Sequence, residues 1–168
     1  MDQEFKNGAQ LREYRNALGQ FPTGVAIVTA VADNLQPVGV TINSFNSISM
    51  SPALVSWNID HGAASYDSFT KANSYTVTVL TEYQADLALR FATRGENKFR
   101  NIDIEGNEAP IIPGGCAWFK CDIYRSILLG DHTMLVGRVI EFATNSASPL
   151  IFKGGQFLQP AITTQEAA

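Results

Sequence analysis

The chain has 168 residues, with 12 Lys+Arg against 16 Asp+Glu for a formal net charge of −4, and 45% of its residues are hydrophobic against 17% charged. That size buries roughly 70% of the unfolded surface, so one domain over 1–168 with its own core is expected, and disorder is excluded. The acidic balance (pI ≈ 5.1) argues against nucleic acid and leaves only a local cluster, Arg94, Lys98 and Arg100, to hold one small anion.

Residues 8 to 19 read as a helix, with Leu11, Tyr14 and Leu18 at helical spacing and Gly19 and Pro22 as the stop. Strand patterns follow over 25–32 and 37–42, joined by a turn at Asp33 to Gln36. A Ser-, Asn- and Phe-rich stretch, 43 to 51, ends at Pro52, and 53–59 is another strand. A short helix is expected over 64–70 and a strand over 75–80. Thr81-Glu82-Tyr83-Gln84 has the form of a capping box opening a helix that carries Leu87, Ala88 and Phe91. Residues 93 to 115 read as loop. Two long strands, about 116–129 and 133–142, meet at Gly130-Asp131-His132. A last strand near 149–152 and a Gly154-Gly155 turn complete the core, about 12–158, leaving 159–168 as a tail. Many strands with few short helices predict a mainly β fold, an antiparallel barrel closed or partly closed.

No stretch approaches the ~20 apolar residues that span a bilayer, and Met1-Asp2-Gln3-Glu4 lacks a signal peptide's basic start. A cytoplasmic protein without a membrane segment is the expectation. Cys116 and Cys121 form no CxxC and read as structural residues on opposite strand faces. With two separated histidines, His61 and His132, no metal set is expected, and no GxSxG, GxGxxG or P-loop motif is present.

Two features carry the chemistry. The polar run Thr41, Asn43, Ser44, Asn46, Ser47, Ser49 and Ser51 is either the wet face of a sheet or a set of neutral groups lining a groove for a polar heteroaromatic ligand with a phosphate. Gly130-Asp131-His132 is either hairpin chemistry or a rim histidine that donates to a substrate amide, with Asp131 orienting it. Trp57 reads as a packing residue with its N–H satisfied, against the alternative of stacking on a ligand ring.

The ordered set Phe21-Pro22-Thr23-Gly24-Val25, Gly39-Val40-Thr41-Ile42-Asn43-Ser44-Phe45, Ser47-Ile48-Ser49, Phe91-Ala92, Lys98-Phe99 and Gly130-Asp131-His132 with Gly137-Arg138-Val139 resembles the flavin reductase-like family. These are short-chain NAD(P)H:flavin oxidoreductases that serve two-component monooxygenases. The resemblance spans about residues 12–158 and implies an FMN-binding split β-barrel of Greek-key type, usually a homodimer. It implies reduction of FMN or FAD by hydride from NADH or NADPH, with reduced flavin passing to a partner monooxygenase. Position by position, Thr41, Asn43, Ser44, Ser47, Ser49, Asn58, Ile59, Phe91 and Lys98 match flavin contacts. His132, with Gly154, Gly155 and Gln156, matches the pyridine-nucleotide site, His132 as a positioning residue rather than an acid or base. Thr78 stands where Asn is usual. The alternatives are a barrel of the same type that holds FMN tightly as an electron carrier without free-flavin turnover, and an apolar-ligand carrier.

Overall fold

The computed structural model describes residues 7–95, 97–102 and 109–158; the expected tail lies outside them. In chain order the elements are α1 (Gly8–Leu18), β1 (Thr23–Gly24), β2 (Ala26–Val31), β3 (Pro37–Ile42), β4 (Asn46–Met50), β5 (Ala53–Asp60), α2 (Tyr66–Lys71) and β6 (Ser74–Val79). They continue with α3 (Ala85–Ala92), β7 (Ala117–Leu129), β8 (His132–Thr144), β9 (Ile151–Lys153) and β10 (Gln156–Leu158). Seven strands form one antiparallel sheet in the order β3-β2-β6-β7-β8-β5-β4, and β1, β9 and β10 form a small second sheet. The large sheet does not close: β3 and β4 are its two edges, although they follow each other in sequence.

The run in β2 that reads as continuously apolar is buried on both faces. Ala26, Val28 and Ala30 join Trp57, Phe69, Tyr75, Val77 and Leu135 in the main core, while Val25 and Ile27 join Leu80, Ala88, Phe91 and Leu150 in a second cluster under α3. Three buried threonines hold residues 109–112 against the large sheet. Thr29 Oγ1 donates to the Pro110 carbonyl, Thr76 Oγ1 donates to Ala109 O at 2.9 Å, and Thr78 Oγ1 accepts from Ile112 N at 3.2 Å. Thr78, the departure from the usual Asn, thus serves as a backbone acceptor.

The structure alters four expectations. Residues 46–50 are a strand, β4, because their backbone pairs with β5 despite a polar composition. The capping box forms only by half: Gln84 Oε1 accepts from Thr81 N at 3.0 Å, but Gln84 N donates to the Thr81 carbonyl, so the helix begins at Ala85. Cys116 precedes β7, with its thiol on the Leu80 carbonyl. Trp57 is fully buried among Phe69 and Tyr75 as expected, yet its indole N–H has no partner among the described residues, nor has the Tyr75 hydroxyl.

Both thiols are disfavoured as thiolates by their environment, Cys121 the more strongly because it is fully buried. Burial pushes Cys121 up to about 12 and raises Cys116 above its ordinary value, so neither forms the thiolate that reacts. Native protein at neutral pH is expected to resist iodoacetamide at both positions and to react at both in denaturant; rapid native alkylation of Cys121 would contradict this burial. Gly137 sits against the Tyr75 hydroxyl, and an added Cβ would overlap it and lie 2.7 Å from Cys121 Cβ. Gly137→Ala is therefore expected to destabilise by ~1–3 kcal/mol, read as a lower thermal midpoint.

Candidate functional site

The C-terminal end of β3, the linker 43–45 and the C-terminal end of β5 meet where the large sheet fails to close. Ser44 stitches them: its Oγ accepts from Asn58 N at 3.0 Å and donates to Asn58 O at 3.4 Å. Thr41 Oγ1 donates to the Ala88 carbonyl at 2.6 Å, tying β3 to α3. Both hydroxyls are thus engaged in holding backbone. The carboxamides of Asn43 and Asn58 have no partner among the described residues, and they are the neutral polar groups free to meet a ligand.

These residues line a cleft of about 770 Å³ together with Ile59, Asp60 and His132, and with Leu11, Tyr14, Arg15 and Leu18 of α1. His132 follows the two-residue β7–β8 turn, in which Gly130 adopts φ +61°. A glycine with positive φ at the first turn position matches the twist of the flanking strands. Register places His132 opposite Asp60 on β5, at the mouth of the cleft. Its Nδ1 donates to Asp131 Oδ1 at 2.7 Å. With that proton fixed, Nε2 of the neutral ring is an acceptor. In that tautomer Nε2 of the neutral ring suits an amide NH₂.

A second compartment of about 730 Å³ adjoins the first, sharing Val40, Asp60 and Ala63. Arg94 and Lys98 line it, and each is held by carbonyls. Arg94 Nη2 donates to Gly62 O at 2.6 Å; Lys98 Nζ donates to Gly39 O at 3.0 Å and Phe91 O at 2.7 Å. Partial burial lowers the Lys98 pKa below its ordinary value, a cost that a bound anion would relieve. Arg100, the third member of the expected cluster, does not line this compartment.

Other matched residues stand off the groove. Phe91 is fully buried, packed on Gly39 and edge-on to Phe99 at 5.1 Å, and lines neither compartment. Ser47 and Ser49 lie on the edge strand β4, on either side of a register shift in its pairing with β5, and line neither compartment. Gly154, Gly155 and Gln156 form the exposed β9–β10 turn, with Gly154 N on Gly19 O at 2.8 Å, and they too line neither compartment. The α1 residues and Asp60 gave no signal in the sequence, since amphipathic helix spacing and a strand-end aspartate are common.

The donor set is that of a groove for a ligand with a polar-edged ring and an anionic tail: free carboxamides at one end, two cations at the other, and no cluster of metal-ligating side chains among the described residues. A flavin fits these residues. The hydrogen bond from His132, and then its charge, hold the Asp131 carboxyl below its usual 3.8. The contact accordingly adds stability above 3.8, and that stability is lost as pH falls through the lowered folded value. Carbon-detected NMR should give Asp131 a midpoint below 3.8 that rises toward it in His132→Ala; identical midpoints would remove the contact.

The model of the flavin reductase like domain matches residues 18–161. The FMN reductase (NADH) SmoA of Agrobacterium fabrum is 40% identical over 152 residues, 89% of this chain and 86% of that protein. The reductase component of the flavin-dependent trigonelline monooxygenase of Acinetobacter baylyi is 35% identical over 90% of this chain, which spans 50% of that protein's length. Among solved structures, the NADH:FAD oxidoreductase SgcE6 of Streptomyces globisporus, in complex with NAD and FAD fragments, superposes with a TM-score of 0.87 at 32% identity, covering 96% of this chain and 99% of that one. On these grounds the chain belongs to the flavin reductase-like domain family.

Proposed function

We propose that the protein is a flavin reductase: it takes hydride from NADH to FMN or FAD and releases the reduced flavin to a separate monooxygenase. The observation that carries this reading is the two-part groove, with free Asn43 and Asn58 carboxamides and His132 in one part and the carbonyl-held Arg94 and Lys98 in the other. When bound, the flavin supplies the hydride-accepting ring, so no protein nucleophile or metal is required. This chain's residues then bind and orient. Asn43, Asn58 and Ile59 would hold the ring, Thr41 and Ser44 would keep their backbone frame in place, and Lys98 with Arg94 would hold the phosphate. His132, with Nδ1 fixed on Asp131, would accept from the nicotinamide NH₂ and position it. Within one subunit Ser47, Ser49, Phe91 and the turn 154–156 make no ligand contact in this reading.

The same reading includes a homodimer. Strands β7 and β8 present Tyr124, Leu128, Ile140 and Phe142 to solvent, with Leu128 73% and Phe142 66% exposed. Large apolar side chains left in water on two adjacent strands are what a second subunit covers. Analytical ultracentrifugation is expected to give twice the chain mass, and a strict monomer would contradict the dimer. No helix among the described residues is long and apolar enough to cross a membrane, and a cytoplasmic site of action is part of the proposal.

Loss of NADH absorbance in aerobic buffer is expected to rise steeply on adding FMN or FAD. Tight co-purified flavin with no response to added flavin would favour the electron-carrier alternative. His132→Ala is expected to raise the KM for NADH about tenfold, the scale of one lost hydrogen bond in a binding site. Unchanged KM and turnover would remove His132 from the site.

A further inference from the structure

Helix α1 is anomalous as a piece of a folded domain. It is well formed at its start, where Asn7 Oδ1 accepts from Ala9 N at 3.0 Å and Gln10 N at 2.9 Å, yet it has no buried residue. An isolated helix of 11 residues is marginal in water, so its helicity depends on packing of its apolar face. That face is Leu11, Tyr14 and Leu18, which are 39%, 45% and 57% exposed. All three line the same cleft as Asn43, Asn58, Ile59 and His132. At its C-terminal end the helix is tied to the β9–β10 turn by the bond from Gly154 N to Gly19 O.

We propose that α1 is the apolar wall of the flavin groove, and that Leu11, Tyr14 and Leu18 pack on the flat face of the bound flavin ring and so determine how tightly flavin is held. The inference rests on the flavin reading above. The two walls divide the chemistry of a flat heteroaromatic ring. Its polar edge meets the free carboxamides on the strand side, and its apolar face meets the aliphatic and aromatic side chains on the helix side. These half-exposed side chains bound the cleft of about 770 Å³ on its helix side. A ring seated in the cleft buries the stripe and adds packing to the helix. Flavin binding and α1 order are then linked: what stabilises one stabilises the other.

Arg12 and Arg15 place two trypsin sites within α1 itself, which makes the linkage measurable on the full chain. Cleavage after Arg12 and Arg15 is followed by mass spectrometry, without flavin and with FMN at a concentration shown to saturate by equilibrium dialysis. FMN is expected to slow both cleavages at least tenfold. Leu18→Ala is expected to raise the FMN Kd about fivefold and Leu18→Met to restore it, the scale of one half-buried leucine side chain. The thermal midpoint without flavin should stay unchanged in both variants, because Leu18 is not buried in the fold. Equal cleavage rates with FMN demonstrably bound, or a Kd unmoved in Leu18→Ala, would overturn the proposal while leaving the flavin reading intact. Protection that grows with protein concentration without flavin would overturn it in favour of a second copy as the cover. Failure of both FMN and FAD to bind would overturn both readings together.

Discussion

The free edge of β3 is the constraint on which the site depends. A seven-stranded antiparallel sheet whose edges are β3 and β4 leaves a row of backbone groups that must be paired or covered. This chain covers the β3 edge with α3 and with single polar side chains. Lys98 bridges the carbonyls of Gly39 and Phe91, and Thr41 bonds to the carbonyl of Ala88. Ser44 then fastens the linker after β3 to Asn58 on β5. Gly39 allows the close approach, since a Cβ there would overlap the Phe91 ring. The bonds that manage an unclosed sheet are therefore the bonds that shape the groove. Residues matched to flavin contacts divide accordingly into those that hold the frame and those left free to bind.

Charge follows the same division. The chain is net acidic, yet Arg94 and Lys98 stand together in one compartment, each anchored by carbonyls that fix its position without neutralising it. Cations held in this way are preorganised for an anion, and their other N–H donors remain available. At the opposite end the side chains on the strand wall are mostly neutral, and the one histidine has its tautomer set by Asp131. A protein whose cofactor does the chemistry needs this sort of site: fixed donors and acceptors at the ring, fixed charge at the tail, and no acid or base of its own.

Much of the fold was legible because it is written in periodicity. The β2 strand and the β7–β8 hairpin carry patterns that packing and pairing reinforce, and the opening helix carries its own spacing and Asn7 cap without a buried residue. β4 was not legible, because its strand character comes from pairing with β5 and its composition, Asn-Ser-Ile-Ser-Met, is that of a polar loop. The capping box was half wrong for a related reason: Thr81 also sits in a bridge to Pro149, and its carbonyl rather than its hydroxyl meets Gln84 N. At the site, the ordered motifs located Thr41, Asn43, Ser44, Asn58, Ile59, Lys98 and His132 around one groove. They could not separate side chains that line the groove from buried framing ones: Phe91 and Lys98 both carry matches, but only Lys98 lines a compartment. Trp57 shows the same limit: its burial was expected, whereas its unpartnered N–H depends on where Tyr75 and Phe69 place their rings.

The central claim is that the groove between the ends of β3 and β5, with its basic extension, is where flavin binds. Amide NMR of isotopically labelled protein titrated with FMN tests it directly. The account predicts saturable shifts concentrated at residues 41–44, 58–60, 94–98 and 132, with other strands little changed. Shifts confined to the exposed outer surfaces of β7 and β8, or none at concentrations that support turnover, would contradict it.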